Sequence, residues 1–225
     1  MQLDFQAREL SIKLIYYGPA LSGKTTNLQA IHKLLAPERR SRLMTLETRD
    51  DRTLFFDLLP INLNTRCGIQ VRIKLFTVPG QVIHVSTRRL VLQGADGVAF
   101  IADSQMSEAR SNQESFMDLR RNLQENGFDC AKMPIVIQYN KRDLPNIRGE
   151  EEIRKMQVKG LEPIYLATAT RGVGVTETFL GLVSAAWNKL EQDHRLTDRF
   201  SIEAKDIIDD LVARFGIQPM RVGTR

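Results

Sequence analysis

The segment from Gly18 to Thr25 constrains this chain more than any other part of its sequence. It reads G-x-x-x-x-G-K-T, follows the apolar residues 13–17 and precedes the amphipathic residues 24–35. A glycine-rich loop between a buried strand and a helix turns its backbone N–H groups toward phosphate groups at the helix N-terminus. We therefore expect this loop to bind the phosphates of a nucleotide through Gly18, Ala20, Leu21, Ser22, Gly23, Lys24, Thr25 and Thr26.

Two side chains of this loop have distinct expected roles. Lys24 supplies a positive charge to the β- and γ-phosphates, and the Thr25 hydroxyl is the expected protein ligand of a Mg²⁺ ion. The alternative is a glycine-rich turn that binds nothing. The position of the pattern, between a strand and a helix, favours a phosphate loop with Mg²⁺ as its cofactor.

Short apolar segments alternate with longer segments of helical periodicity along most of the chain. Runs such as VAFIA at residues 98–102 are typical of parallel strands covered by helices. We therefore predict an α/β fold with a mostly parallel sheet and helices on both faces. Residues 58–65 lead through a short turn into the next strand, which predicts one antiparallel edge strand. The other predicted strands are 13–17, 69–78, 97–102, 134–139 and 163–167, and the predicted helices are 24–35, 107–125, 150–157 and 175–191.

Composition argues against several other classes of protein. Hydrophobic residues make up 42% and charged residues 26% of the 225 residues, which suits a buried core and not a disordered chain. The net charge of +5 is too small to indicate a nucleic-acid binder. No apolar run approaches the roughly 18 residues of an integral membrane segment, and no signal peptide is recognisable. The two cysteines share no metal-binding spacing, so we expect a cytoplasmic protein.

The residues after position 193 lie outside the alternation of strands and helices that precedes them. A helical apolar face is predicted there, with Ser201 at its start and Gly216 at its end. We therefore expect a domain of residues 1–193 and a C-terminal helical extension of residues 194–225. The face is formed by Ala204, Ile207, Ile208, Leu211, Val212 and Phe215.

A second motif, N-K-R-D at residues 140–143, follows the predicted strand 134–139. The Asp143 carboxylate can accept hydrogen bonds from the N1–H and the 2-amino group of guanine, and adenine has neither donor. Asn140 would hold the loop and the base edge, while the Lys141 stem stacks on the ring. Thr168 and Ala169 follow the last predicted strand, and we expect a backbone N–H there to reach guanine O6.

Between the two motifs, residues 77–81 read T-V-P-G-Q. Nucleotide switches usually carry D-x-x-G-Q here, in which the Asp binds Mg²⁺ through water and the Gln orients the attacking water. Gly80 is expected to reach the γ-phosphate, and Gln81 to position the water. Thr77 stands where the acid would be, so Mg²⁺ binding would depend on Thr25, a switch threonine and the phosphates.

Together these segments resemble the MglA family of bacterial Ras-like GTPases, which control cell polarity and gliding or twitching motility. The resemblance covers residues 9–190 and leaves the extension unmatched. It implies a Ras-like P-loop fold and a small GTPase switch that binds GTP and GDP. Its residues are YYGPALSGKTTNLQ at 16–29, DRTLFFDLLP at 51–60, TVPGQV at 77–82, DGVAFIADSQ at 96–105 and IQYNKRDLPN at 137–146.

The resemblance also implies roles that spacing alone does not show. Thr53 would be the switch threonine that senses Mg²⁺ and the γ-phosphate, and Arg52 would be an arginine finger supplied in cis. From its chemistry alone, Arg52 is one arginine among many in a charged loop. The hairpin strand would slide between the GDP and GTP states. The usual partner is a roadblock-type homodimer that activates hydrolysis, and the polarity role implies concentration at a cell pole.

One residue departs from the family pattern. Ala20 occupies a phosphate-loop position that is usually glycine, where a Cβ atom crowds the catalytic glutamine or arginine.

Three hypotheses about the function of the protein therefore stay open. The first is a GTP hydrolase used as a switch, slow without its activator. The second is a GTP-binding interaction scaffold with little intrinsic hydrolysis. The third is an adenine-nucleotide enzyme such as a small kinase, which Asp143 disfavours.

Overall fold

The computed structural model describes residues 1–37, 41–46, 56–80 and 85–216. Within these residues, eight strands form one sheet. Its central strands are the apolar segments of the sequence, because a strand covered on both faces carries hydrophobic side chains on both faces. The strands are β1 (Gln2–Asp4), β2 (Glu9–Tyr17), β3 (Met44–Leu46), β4 (Phe56–Asn64), β5 (Gln70–Thr77), β6 (Gly97–Asp103), β7 (Ile135–Asn140) and β8 (Ile164–Leu166).

The sheet is mostly parallel, which confirms the predicted fold class. Its strands lie in the order β3-β4-β5-β2-β6-β7-β8, and β1 pairs with β2 outside this path. The predicted antiparallel hairpin is formed by β4 and β5. However, β4 is not the edge, because β3 pairs antiparallel beyond it, and β1 is also antiparallel to β2. The sequence analysis did not predict β1 or β3, since three residues carry too little periodicity.

Helices cover both faces of the sheet and complete two hydrophobic cores. One face holds α1 (Lys24–Leu34), α5 (Val175–His194), α6 (Leu196–Phe200) and α7 (Ala204–Arg214). The other face holds α2 (Val85–Leu92), α3 (Ala109–Glu125) and α4 (Glu150–Lys159). Helix α3 begins two residues later than expected, because residues 106–108 form a separate 3₁₀ turn. Helices α2 and α6 were not predicted.

Helix α7 packs on the rest of the chain through one of its faces. Ile207 and Leu211 are fully buried in the core that also contains side chains of β4, α1 and α5. A backbone hydrogen bond from the Ala36 N–H to the Arg214 carbonyl (3.1 Å) joins the end of α7 to the loop after α1. The side of α7 that carries Ile207 and Leu211 is therefore buried within its own chain.

The start of α7 differs from the prediction. The sequence predicts a helix beginning at Ser201, but α7 begins at Ala204. Ser201 takes a left-handed backbone with φ 54°, and the next side chain, Ile202, is fully buried. An ion pair also connects α7 to the sheet, since Arg66 in the β4–β5 turn lies 2.7 Å from Asp206.

Across the described parts of the chain, no helix combines the length and the apolarity needed to cross a bilayer.

Candidate nucleotide-binding site

The phosphate loop joins the end of β2 to the start of α1. Its backbone takes positive φ at Leu21 (60°) and Gly23 (96°), so the chain turns sharply before the helix. A Cβ atom on Gly23 would lie 2.3 Å from Nδ2 of Asn140, so only glycine fits there. Helix α1 begins without a side-chain cap. Its first N–H groups and the positive end of its dipole are therefore available to an anion.

Lys24 is a buried cation at the centre of this loop. Its side chain is only 7% exposed, and its Nζ donates to the carbonyl oxygens of Gly18 (3.0 Å) and Pro19 (2.6 Å). Burial and, to a smaller extent, the charge of Arg88 lower the pKa of Lys24 to about 8, and the charge of Asp57 opposes both. An ammonium group held by neutral carbonyls in a buried loop is the environment that an incoming phosphate would stabilise most.

A buried carboxylate lies beside Thr25, the expected magnesium ligand. Asp57 of β4 is 6% exposed, and its Oδ2 accepts hydrogen bonds from the hydroxyls of Thr25 (2.6 Å) and Thr77 (3.0 Å). Its backbone N–H donates to Thr77 Oγ1 (2.8 Å), and its Oδ1 accepts from Thr45 (2.9 Å). The acid that is missing at position 77 is therefore replaced in space by an acid from the antiparallel hairpin.

The sequence analysis missed Asp57. Its only sequence signal is a charged residue near the start of a largely apolar strand. Its role depends on the β4–β5 pairing, in which Leu58 lies opposite Phe76 and so brings Asp57 next to Thr77. The hairpin pattern predicts that the two strands pair, but it does not specify which residues lie opposite each other.

The segment after β5 closes over the phosphate loop. A Cβ atom on Gly80 would lie 2.4 Å from the backbone nitrogen of Ala20, so the two backbones are in contact and glycine is required. A cavity of about 700 Å³ lies beside this contact, within the usual range for small-molecule sites. Its walls are the phosphate loop, the starts of α1 and β4, the end of β5 and Thr45.

Asn140, at the end of β7, connects three loops of the site. Its Nδ2 donates to the carbonyl of Ser22 in the phosphate loop (2.9 Å). Its Oδ1 accepts from the backbone N–H of Ala169, in the loop after β8 (3.0 Å). Because Asn140 is only 2% exposed, losing either bond would leave a buried polar group unpaired. These contacts hold the phosphate loop and the loop after β8 together.

The rest of the base motif lies at the same edge of the sheet. Lys141 has a left-handed backbone with φ 63°, and its ammonium forms an ion pair with Asp103 at the end of β6 (2.6 Å). Asp143 is exposed in the turn that follows. These positions are at the carboxyl ends of parallel strands, where ligands of doubly wound sheets bind.

The backbone N–H groups that were expected to reach guanine O6 from the loop after β8 already donate hydrogen bonds within the chain. The N–H of Thr168 donates to the Val173 carbonyl (2.9 Å), and the N–H of Ala169 donates to Asn140. A bond from either N–H to guanine O6 therefore requires one of these bonds to be shared or exchanged.

A buried arginine joins α2 to α3. Only 4% of Arg88 is exposed, although adjacent charged residues such as Arg88 and Arg89 usually lie on a solvated face. Its Nε donates to Asp118 of α3 (2.9 Å), and Tyr17 at the end of β2 also donates to Asp118. Burial raises the pKa of Asp118, but hydrogen bonds from Tyr17 and Arg121 and the charge of Arg88 outweigh it and hold that pKa below its usual range. The burial of Arg88 depends on how α2 and α3 pack.

Not every predicted site residue falls within the described parts of the chain. Arg52, Thr53 and Gln81, the predicted finger, switch threonine and water-positioning residue, lie outside the described residues. The other predicted site residues lie at the phosphate loop, at the end of β5 or in the two base-side loops.

Comparison with known proteins gives one clear relationship. No protein-family model matches the chain. The chain is 47% identical over 190 residues to the mutual gliding-motility protein MglA of Myxococcus xanthus, a match that covers 84% of this chain and 97% of that protein. Identity of this size over nearly the whole length of the relative shows that the chain belongs to the MglA family of Ras-like small GTPases.

Proposed function

We propose that this protein is a molecular switch that binds GTP and GDP with Mg²⁺ and hydrolyses GTP to GDP and phosphate. The observation that carries the proposal is the side chain of Asn140, which bonds both to the phosphate loop and to the loop after β8. One residue thereby joins a phosphate-binding element to a base-recognition element. Membership of the MglA family supports the same function.

Guanine selectivity is assigned to Asp143. A carboxylate can accept from both N1–H and the 2-amino group of guanine, whereas adenine would leave it unpaired. Lys24, held now by two carbonyl oxygens, would exchange them for the β- and γ-phosphates. Loss of the ammonium in Lys24→Ala should therefore abolish triphosphate binding.

The residues beside the phosphate loop fit a magnesium ion. Mg²⁺ prefers oxygen ligands, and Thr25 and Asp57 bring a hydroxyl and a carboxylate together in the cavity wall. We assign Thr25 and Thr53 as ligands, with Asp57 as a further anionic oxygen close by. When bound, Mg²⁺ neutralises charge on the phosphate oxygens. Asp57 of β4 accepts the hydrogen bond of the Thr25 hydroxyl, and Thr77 of β5 donates to the same carboxylate oxygen.

Hydrolysis is assigned to Gln81 and Arg52. Phosphoryl transfer needs a positioned water and a cation that compensates the negative charge on the γ-phosphate oxygens. Gln81 would supply the first and Arg52 the second. Ala20 lies against Gly80, next to Gln81, so its methyl group would slow the intrinsic reaction. A roadblock-type homodimer that selects the ordered GTP state would raise the rate without inserting a residue of its own.

The cellular role proposed for this switch is control of bacterial polarity or of gliding or twitching motility. The named relative is a gliding-motility protein. We propose that residues 1–193 form the GTPase domain, and that residues 194–225 are an extension to it. Action at a cell pole from the cytoplasm, through an effector that recognises the GTP state, completes the proposal.

Identification of the nucleotide that copurifies with the protein, followed by single-turnover hydrolysis, tests this function. We expect GDP or GTP in the supernatant after the protein is denatured and removed. GTP should displace the bound nucleotide from the native protein far better than ATP does. Equal displacement by ATP and GTP would contradict guanine recognition and favour the adenine-nucleotide enzyme.

The same assay separates a switch from a scaffold. Wild type and Ala20→Gly are compared with and without a roadblock homodimer. Turnover by wild type with the homodimer supports the switch. Binding of GTP by wild type without turnover under both conditions would instead support the scaffold, and turnover restored in Ala20→Gly would trace the loss to Ala20.

A further inference from the structure

An acidic residue with no assigned role ends the most buried strand of the sheet. All seven residues of β6 are buried, and the last of them, Asp103, is the only charged one. A carboxylate in this position needs partners, because an unpaired buried charge is strongly destabilising. Its Oδ2 accepts from the Lys141 ammonium (2.6 Å), and its Oδ1 accepts from the Gln105 N–H (3.0 Å).

The backbone of Asp103 is also fixed on both sides. Its N–H donates to Oδ1 of Asn112 in α3 (3.0 Å), and Nδ2 of Asn112 donates back to its carbonyl (2.8 Å). In the parallel pairing of β6 with β7, Asp103 lies opposite Asn140. Asp103 is therefore a rigid anionic anchor directly beside the base motif.

Lys141 is held at both ends by these contacts. At one end it follows Asn140, whose side chain is bonded to two other loops. At the other end its ammonium is bound to Asp103, and its side chain is 27% exposed. Its φ of 63° is unusual for a residue with a side chain. A lysine fixed in this way presents its methylene stem as a narrow apolar surface.

We propose that Asp103 is a positioning residue of the base site, which holds the Lys141 stem in place against the face of the purine. The inference rests on the proposed function, since it needs a nucleotide base next to Lys141. It separates two kinds of recognition. Asp143 reads the edge of the base and selects guanine, whereas Asp103 acts through Lys141 on the face of the ring and does not distinguish purines by their edges.

The experiment measures the dissociation rates of GDP and IDP from the full chain. IDP lacks the 2-amino group that Asp143 is expected to bind. The variants are Asp103→Ala, Lys141→Met and the double variant Asp103→Ala/Lys141→Met. The control is Asp96→Ala, which removes a carboxylate of equal side-chain exposure (6%) just before the other end of β6. The two acids are seven positions apart along the chain, a distance of roughly 20 Å.

We expect Asp103→Ala and Lys141→Met each to release GDP about tenfold faster, a typical effect for loss of one stacking contact. IDP should be released faster by the same factor, because the edge contacts are unchanged. The double variant should be no faster than the faster single variant, because both changes remove the same contact. Asp96→Ala should leave both rates at the wild-type value.

Three results would overturn the inference. They are an unchanged rate for Asp103→Ala, a double variant whose effect is the product of the single effects, and a change in the GDP:IDP ratio. Lys141→Met leaves β6 intact, so it tests the contact even where Asp103→Ala does not fold. Failure of wild type to retain either nucleotide would instead overturn the proposed function, and this inference with it.

Discussion

The two halves of the site are built in different ways. On the base side, the ends of parallel strands β6 and β7 and the loop after β8 are joined by Asn140 and by the Asp103–Lys141 pair. On the hairpin side, hydroxyl groups surround one carboxylate, Asp57, which comes from an antiparallel strand.

This difference separates two tasks. Bonds from side chains to backbone groups fix loops to one another, which suits recognition of a rigid base. Hydroxyl and carboxylate oxygens can exchange their hydrogen-bond partners for an ion or a phosphate. This suits the side of the site where the nucleotide changes from a triphosphate to a diphosphate. We therefore expect variants of the hairpin side to alter turnover and Mg²⁺ dependence. Variants of the base side should alter which nucleotide binds and how long it stays.

The largest expected effect is on turnover. Arg52→Ala and Gln81→Ala should each keep GTP affinity within a few-fold and lose most of the activated rate. An arginine finger raises the rate of hydrolysis by a factor of about 10³–10⁵. Single-turnover hydrolysis with the roadblock homodimer measures the loss. Arg66→Ala, at the exposed turn of the hairpin, is the matched control. Full activated turnover in Arg52→Ala would place the finger elsewhere.

The next effect concerns the identity of the base. Asp143→Asn should weaken GDP binding about 100-fold, because one of two guanine donors then faces an amide N–H. Xanthosine diphosphate, which carries an oxygen in place of the 2-amino group, should bind better to the variant than to wild type. Competition titrations measure both affinities. Unchanged preference for GDP would show that edge recognition does not depend on Asp143.

A smaller effect is expected for Asp57→Asn, which keeps the size of the side chain and removes its charge. We expect the Mg²⁺ concentration that half-maximally slows GDP release to rise about tenfold, since an anion close to the ion is lost. GDP release in EDTA should stay within about twofold of wild type. Asn62→Ala, on the exposed face of the same strand, is the control. An unchanged Mg²⁺ dependence would separate Asp57 from the metal site.

The smallest expected effect is on stability. The pKa of Lys24 is about 8 in the folded chain, below its ordinary value, so the unfolded chain binds more protons between that value and about pH 10.5. The unfolding free energy of the nucleotide-free protein should therefore rise with pH in this window, by about 1 kcal/mol from pH 8 to 9. Below the folded pKa the penalty is fully present.

Denaturant titrations of wild type and Lys24→Met, at both pH values, measure this contribution. The rise should be absent from the variant, and it should disappear from wild type when GDP is bound, because the phosphates stabilise the charged lysine. A rise of equal size in both proteins would show that another group is responsible.

The sequence predicted those features that depend on neighbouring residues. The phosphate loop, the Asn140 motif and the β4–β5 hairpin each occupy a continuous segment whose pattern states its geometry. Asp57 and Asp103 could not be found in the same way, because each acquires its partner through strand pairing across the sheet. The burial of Arg88 likewise depends on α3, whose Asp118 neutralises it. Exposure of a charged residue is decided by packing, and packing is not local.

Helix α7 also affects the order in which the chain can fold. Its side chains Ile207 and Leu211 belong to the core that β4 and α5 form against α7, yet α7 is synthesised after every other described element. Until it docks, part of the core next to the phosphate-loop helix stays exposed to solvent. The growing chain must therefore pass through a state with an uncovered apolar surface, which is the kind of state that chaperones bind and that aggregates at high expression.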